Sequence, residues 1–286
     1  MKMAEMIVPI IKSVPPSGIR KYFDMINEMK DVISLGIGEP DFVTPWNIRE
    51  EGIYSLEKGD THYSPNSGYI ELRDEISKYL NRRFGLYYNP RNEIIVTVGG
   101  SEGIDAALRC LVGKGDEVII PEPCFVAYKP CAVFTGATPV IINLREEDQF
   151  RLTPELLEQA ITEKTKVLIL AFPNNPTGAI MTKEDLEGIV EILKDKDIIV
   201  ISDEIYAELS YDEQHGSIGS FPEIKEKTLV ISGFSKAYAM TGWRLGYACG
   251  HPDLIKAMLK VHQYAIMSAP TTAQRAAVEA LKNGDR

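Results

Sequence analysis

Short apolar segments alternate with helical stretches along most of this chain, and that alternation constrains the fold more than any other feature. Each segment is a nearly unbroken run of β-branched and other apolar residues, which is typical of strands buried on both faces of a parallel sheet. The segments that predict strands are residues 94–98, 117–120, 166–170, 198–201 and 228–231. The pattern therefore predicts an α/β fold with three layers, α/β/α, and a mostly parallel central sheet.

Between these strands, apolar residues recur at helical spacing. Residues 183–193 and 252–264 have this pattern and are predicted to be helices. Ser101 is a candidate N-cap for another helix that ends near Val112. Residues 243–249 predict one more strand, so the alternation continues almost to the end of the chain.

The chain before residue 46 differs from the rest. It is rich in proline and glycine and shows no strand alternation, which predicts an arm and loop over residues 1–45. The chain as a whole is 44% hydrophobic, enough for a sizeable core. We therefore expect one large domain over residues 46–286.

Charge and cysteine content exclude several classes of partner. The formal net charge is −10, so the surface repels nucleic-acid phosphates and anionic lipid headgroups. No stretch approaches about eighteen consecutive apolar residues, so no membrane-spanning segment is predicted. The four cysteines form no C-x-x-C pair and have no histidine at metal-ligand spacing. We expect buried free thiols, no metal site and a cytoplasmic location.

In a sheet of this kind, ligands bind beyond the carboxyl ends of the strands. Lys236 follows the strand that ends near Ile231. Such a lysine can form an imine with an aldehyde when positive charge or desolvation lowers its pKa. Arg244, eight residues later, carries a guanidinium suited to a phosphate group. A Ser-Lys pair in a loop is otherwise ordinary surface, so a ligand site is predicted only if the other strand ends also carry residues that could bind a ligand.

Three other strand ends carry residues that could bind a ligand. Asp203 follows a buried strand and is either a helix N-cap or a charged partner for a ligand. Asn175 lies in an Asn-Pro-Thr-Gly sequence, which is also ordinary turn chemistry. The Gly-Gly-Ser turn after Val98 leads into a predicted helix, whose N–H groups and positive dipole end favour a phosphate. Such turns are common, but with Lys236 and Arg244 this one predicts a phosphate-binding site.

Nearly the whole chain resembles the class I and II aminotransferases of fold type I, which depend on pyridoxal 5′-phosphate (PLP). The matching segments are SGIRKYF (17–23), LGIGEPDF (35–42), THYSPNSGYIELR (61–73), VGGSEGIDAAL (98–108), PCFVAY (123–128), AFPNNPTGAI (171–180), SDEIYAEL (202–209) and GFSKAYAMTGWRLG (233–246). The last segment resembles the PLP-lysine signature of the family at every position. The resemblance is closest to the bacterial and archaeal aspartate and aromatic aminotransferases.

The resemblance implies a role for the chemically active residues. Lys236 is expected to carry PLP and to act as the general base and acid, with Arg244 at the phosphate. Asp203 is expected to pair with the protonated pyridine nitrogen and Tyr206 to reach the 3′ oxygen. Asn175 is expected to bind that oxygen and the substrate carboxylate.

Further residues follow from the same matching segments. The others expected around PLP are Gly100, Ser101, Glu102, Phe125 and Ser235. Phe125 matches the aromatic residue that stacks on the pyridine ring, but as a bare sequence it is equally a core phenylalanine. Gly38 matches a loop position whose backbone faces the substrate. Tyr63 matches a tyrosine that reaches the phosphate of the partner subunit, which implies a homodimer.

The implied activity is that of a PLP-dependent aminotransferase, or transaminase, which moves an amino group between an L-amino acid and a 2-oxo acid in a ping-pong cycle. Three alternatives remain open: a PLP-dependent lyase of the same fold, such as a C–S lyase or cyclopropane-carboxylate synthase, a non-catalytic PLP-binding module, and a generic nucleotide-binding protein. The last lacks its usual Gly-rich or Walker motif.

The family also has a smaller C-terminal domain of about 100 residues, a typical domain size. That domain carries the arginine that clamps the substrate α-carboxylate. We expect it beyond Arg286 and assign no arginine of this chain to that role. Which amino acid is the donor is not predicted.

Overall fold

The computed structural model describes residues 3–18, 38–211 and 215–284. Within them, one sheet of seven strands has the order β1-β7-β6-β5-β4-β2-β3. The strands are β1 (Ile94–Thr97), β2 (Glu117–Glu122), β3 (Thr138–Asn143), β4 (Thr165–Ala171), β5 (Ile199–Asp203), β6 (Thr228–Gly233) and β7 (Gly246–Cys249). Strand β7 is antiparallel to its neighbours β1 and β6, and the other pairs are parallel. The predicted mostly parallel sheet is confirmed.

Helices cover both faces of this sheet. They are α1 (Pro9–Ser13), α2 (Trp46–Glu57), α3 (Ile70–Phe84), α4 (Gly99–Leu111), α5 (Tyr128–Phe134), α6 (Pro154–Ala160), α7 (Lys183–Leu193), α8 (Pro252–Ala265) and α9 (Thr271–Asn283). Val230 packs with α2, α3 and α9, whereas its neighbours Leu229 and Ile231 pack on the opposite face with α4, α5 and α8. Helices α6 and α7 cover the far end of the first face. The three-layer prediction is confirmed.

Local sequence sets several helix boundaries. Helix α7 begins after Thr182, whose hydroxyl accepts the N–H of Asp185, while the Asp185 carboxylate accepts the N–H of Thr182. This reciprocal capping box satisfies two N–H groups that the helix leaves unpaired. Helix α3 ends at Gly85, whose φ of 68° is left-handed and favours glycine. The helix predicted at residues 183–193 is α7, and its limits are those predicted.

Two predicted boundaries near the cavity described below were wrong. Ser101 is not an N-cap, because α4 already begins at Gly99 and the Glu102 carboxylate accepts the N–H of Val98 instead. The strand predicted over residues 243–249 begins only at Gly246. The chain before it forms a 3₁₀ turn over Thr241–Trp243 and then passes through Arg244 in a left-handed conformation.

One strand of the sheet was missed by the sequence prediction. Strand β3 was not predicted, because it is only partly buried and contains Pro139. A proline is tolerated there since β3 is an edge strand.

The expectation of buried thiols was wrong for three of the four cysteines, because only the thiol of Cys249 is buried. The other three cysteines, Cys110, Cys124 and Cys131, are partly exposed. All four are free. Within residues 3–18, 38–211 and 215–284, no helix is long and apolar enough to cross a membrane.

Candidate active site

The carboxyl ends of β4, β5 and β6 open into a cavity of about 660 Å³. Small-molecule sites in proteins are typically about 300–1,000 Å³. Ten of the residues predicted from sequence line this cavity: Gly38, Gly100, Ser101, Phe125, Asn175, Asp203, Tyr206, Ser235, Lys236 and Arg244. The fold therefore brings together side chains from segments that are far apart in the sequence.

Lys236 follows β6 and extends its amine into the cavity. The amine donates a hydrogen bond to the carbonyl oxygen of Gly38 and lies 5.5 Å from the centre of the Tyr206 ring. Burial lowers the pKa of Lys236, the positive charge of Arg244 lowers it further, and the Glu39 carboxylate opposes both. A lowered pKa leaves more unprotonated amine near neutral pH, and that form is the nucleophile.

Asp203 is the last residue of β5 and is buried, with 6% of its surface exposed. One carboxylate oxygen accepts the Ile205 N–H at 3.2 Å, and the other accepts the Tyr128 hydroxyl at 2.7 Å. Burial raises the pKa of Asp203, Glu204 adds to that rise, and the hydrogen bonds from Tyr128 and Ile205 oppose it. The carboxylate is thus held in place by two donors at the base of the cavity.

Tyr128 is a site residue that sequence reasoning missed. It begins α5, is buried, and makes an edge-to-face contact with Phe125 at 5.7 Å between ring centres. The only sequence signal for it was the segment PCFVAY, which pointed to Phe125 and says nothing about a partner 75 residues away. Phe125 itself both lines the cavity and packs against the core, so it fits both of its sequence interpretations.

Asn175 and Tyr206 form one polar edge of the cavity. The Asn175 amide donates to the Tyr206 hydroxyl at 3.2 Å. Burial raises the pKa of Tyr206, the Asn175 hydrogen bond opposes this, and the charge of Asp203 adds to it. The phenol therefore remains protonated and can donate to an anionic oxygen of a ligand, next to an amide that can do the same.

The opposite edge is positively charged. Gly99 has a φ of 75°, and a Cβ added there would lie 2.9 Å from the Nη2 atom of Arg244. Glycine at this position therefore lets the guanidinium lie against the first turn of α4, beside Gly100 and Ser101, where Arg244 also donates to the Thr241 carbonyl at 3.1 Å. A guanidinium next to a helix N-terminus is a favourable arrangement for a phosphate group.

Two predicted site residues lie outside the cavity lining. The Glu102 side chain turns toward α8, where its carboxylate lies 2.5 Å from the Nδ1 atom of His262. Tyr63 is 79% exposed on the surface. Residues 19–23 and 35–37, which carry parts of two matching segments, lie outside the described residues.

Comparisons with known proteins identify the family of this chain. Residues 30–286 match the family model "Aminotransferase class I and II". The chain is 54% identical over 282 residues to a putative aminotransferase, YugH, of Bacillus subtilis, covering 99% of this chain and 73% of the relative. It is 44% identical over 271 residues to an aspartate aminotransferase of Pyrococcus abyssi, covering 94% of this chain and 70% of the relative.

A solved structure shows the same fold. The aspartate aminotransferase of Thermus thermophilus with maleate aligns with a TM-score of 0.92 at 38% identity, over 98% of this chain and 73% of that one. This chain belongs to the class I and II aminotransferases. That family is generally PLP-dependent. The three proteins named above are aminotransferases, and none of them favours the lyase alternative.

Proposed function

We propose that this chain is a PLP-binding aminotransferase that moves an amino group between an L-amino acid and a 2-oxo acid. One observation carries the proposal: the amine of Lys236, the buried carboxylate of Asp203 and the guanidinium of Arg244 line a single cavity of suitable volume. These three groups match the aldehyde, the pyridine nitrogen and the phosphate of PLP. A nucleophilic amine, an acceptor for the N–H of a protonated pyridine and a donor for the phosphate line the same cavity, so the residues present fit this cofactor.

Each residue would hold a different part of the cofactor. Lys236 would bind the aldehyde carbon, while Arg244 and the N–H groups at the start of α4 would bind the phosphate. Asp203 would pair with the pyridine nitrogen and keep it protonated, and Asn175 and Tyr206 would bind the 3′ oxygen. When bound, PLP supplies an electron sink for the electrons that remain when the α-proton of the amino acid leaves.

Lys236 would also move the proton. Its amine, once released from the cofactor, is the group in this cavity with a suitably lowered pKa, so it can take the α-proton as a base and return it as an acid. Burial, which lowers the pKa of Lys236, then Glu39, which raises it, and Arg244, which lowers it, would together set the balance between these two forms. Phe125 would lie over the ring and limit the access of water.

The organisation of the protein is part of the proposal. Residues 46–286 would form the cofactor-binding domain, and residues 1–45 an arm and substrate-side loop with the Gly38 backbone toward the substrate. The exposed Tyr63 would reach the phosphate bound by a second copy in a homodimer. The unpaired thiols support a reducing, cytoplasmic environment.

Reductive labelling tests the cofactor site. Protein incubated with PLP is reduced with borohydride, digested and mapped, and we expect the label on Lys236. A Lys236→Ala variant is the control and should carry no label there. Label found instead on Lys260 or Lys183 would contradict the assignment.

Product analysis tests the reaction. With an L-amino acid and 2-oxoglutarate, we expect glutamate and the 2-oxo acid of the donor in equal amounts. A lyase of this fold would break down its substrate without aminating the acceptor, and a non-catalytic module would bind PLP without forming product.

A further inference from the structure

A carboxylate belongs to the same helical turn as the proposed phosphate site. Glu102 belongs to the first turn of α4, directly after Gly100 and Ser101, which line the cavity. An anionic side chain in this turn would repel a phosphate and compete with it for the same N–H groups. Where the Glu102 side chain points therefore affects how well this turn binds an anion.

The Glu102 side chain is held away from the cavity by two contacts. One carboxylate oxygen accepts the N–H of Val98, and the other lies 2.5 Å from the Nδ1 atom of His262 in α8. The Glu102 side chain is 13% exposed and that of His262 is fully buried. The ring therefore meets the carboxylate in a largely water-free contact.

His262 is itself fixed in position. Its carbonyl oxygen accepts the N–H groups of Ile266 and Met267, at 2.8 and 3.0 Å, where α8 ends. Its second ring nitrogen, Nε2, is buried and has no hydrogen-bond partner among the described residues. The contact with Glu102 is thus the only side-chain hydrogen bond of the ring within the described part of the chain.

We propose that His262 is a positioning residue for the phosphate end of the cofactor site, acting through Glu102. By donating to the Glu102 carboxylate, it keeps this negative charge turned toward α8. The N–H groups at the start of α4 then remain free for the phosphate, next to Arg244. This inference rests on the proposed function, since it assigns the ligand of that turn as the PLP phosphate.

Three substitutions separate this role from a merely structural one. In His262→Asn, the amide nitrogen can occupy the position of Nδ1 and keep the hydrogen bond to Glu102. In His262→Gln, the amide lies near the position of Nε2 instead, so a polar group is kept but the contact is lost. The double variant His262→Gln with Glu102→Gln removes the contact and also the negative charge.

Affinity for PLP is compared with affinity for pyridoxal, which has the same aldehyde and ring but no phosphate. Both are measured by spectroscopic titration of cofactor-free protein, with no turnover. In His262→Gln, we expect the Kd for PLP to rise about tenfold, which corresponds to about 1.4 kcal/mol, because the Glu102 carboxylate can then turn toward the first turn of α4 and repel the phosphate. The Kd for pyridoxal should change less than about twofold, well under the 1.4 kcal/mol of a tenfold change.

The other variants complete the test. His262→Asn should bind PLP like the wild type, and the double variant should recover most of the lost PLP affinity. Equal losses for PLP and pyridoxal in His262→Gln, or no loss for either, would overturn the inference. So would a double variant that binds PLP no better than His262→Gln. If His262→Gln does not fold, the comparison of His262→Asn with His262→Leu decides in the same way.

A different result would identify failure of the proposed function itself. If the wild-type chain binds neither PLP nor pyridoxal at Lys236, the cofactor assignment is wrong and this inference falls with it. If the wild type binds both and the variants do not separate them, only the role of His262 is refuted.

Discussion

The hydrogen bond from Tyr128 to Asp203 can be removed by a single substitution, Tyr128→Phe. The phenylalanine ring fills the same space and keeps the edge contact with Phe125. What disappears is one donor, 2.7 Å from a carboxylate oxygen that has no other donor among the described residues. The change is therefore electrostatic and leaves the packing of α5 intact.

The expected magnitude follows from the burial of this pair. A hydrogen bond to a charged group is worth about 1.5–3 kcal/mol, and more when one partner is left buried without it. Burial already raises the pKa of Asp203 and the Tyr128 hydroxyl opposes that rise. Removing the hydroxyl should raise the pKa of Asp203 further, because the hydrogen bond that opposes the effect of burial is lost. The ionised form, which is needed to hold a pyridine nitrogen protonated, then becomes less populated.

We expect the half-reaction of the PLP-loaded protein with an amino acid to slow by about 10- to 100-fold near neutral pH, since each 1.4 kcal/mol corresponds to a factor of ten. The acidic limb of the pH–rate profile should move to higher pH. The sign follows because a raised pKa means that the carboxylate is lost earlier as the pH falls. Stopped-flow absorbance with saturating amino acid measures both effects.

Tyr79→Phe is a matched control for this experiment. Tyr79 is also buried and also donates to a carboxylate, that of Glu208, at 2.6 Å, but neither residue lines the cavity. It should lose stability without a change in the pH–rate profile. An unchanged rate and profile in Tyr128→Phe would refute the reasoning, as would equal slowing in both variants.

Two further predictions concern charge. Burial lowers the pKa of Lys236 and the Glu39 carboxylate opposes this, so Glu39→Gln should lower that pKa further. PLP attachment at pH 7 should then become faster in rate measurements across pH, because more of the amine is unprotonated; slower attachment would contradict this. His215→Leu should reduce the free energy of unfolding in urea titrations, because the buried Nε2 lies 3.0 Å from a buried Glu204 oxygen. Leaving a buried polar group without its polar neighbour costs about 1–3 kcal/mol. Adding Glu204→Gln should recover part of that loss, and no recovery would mean that the charge is not the cause.

One physical reason explains why the location of some site residues could be predicted from the sequence. Lys236 and Asn175 follow buried apolar strands and Asp203 is the last residue of one, and the carboxyl ends of parallel strands lie at one edge of the sheet. Once the strands are predicted, the convergence of these residues follows from topology. Their location depends on short-range pattern and a general rule, so it needed no knowledge of packing.

The partners of these residues could not be placed in the same way. Tyr128 reaches Asp203 across 75 positions and His262 reaches Glu102 across 160, and no periodicity or turn signal connects such positions. The contacts arise because α5 and α8 pack on the same face of the sheet as α4. Only the packed structure determines which side chain points at which carboxylate.

The error at Ser101 shows how a preference for one capping residue is overridden when a neighbouring side chain accepts the free N–H group instead. Serine after two glycines is a good N-cap by local preference, because its hydroxyl can accept a free N–H group. Here the N-cap is Val98, three residues earlier, and the Glu102 carboxylate accepts the N–H of Val98. That arrangement leaves Ser101 exposed at the cavity and commits Glu102 to α8. The Glu102 carboxylate that replaces the predicted cap is thus the same group that contacts His262 across 160 positions, so one side chain joins a local contact at the helix start to a long-range contact between helices.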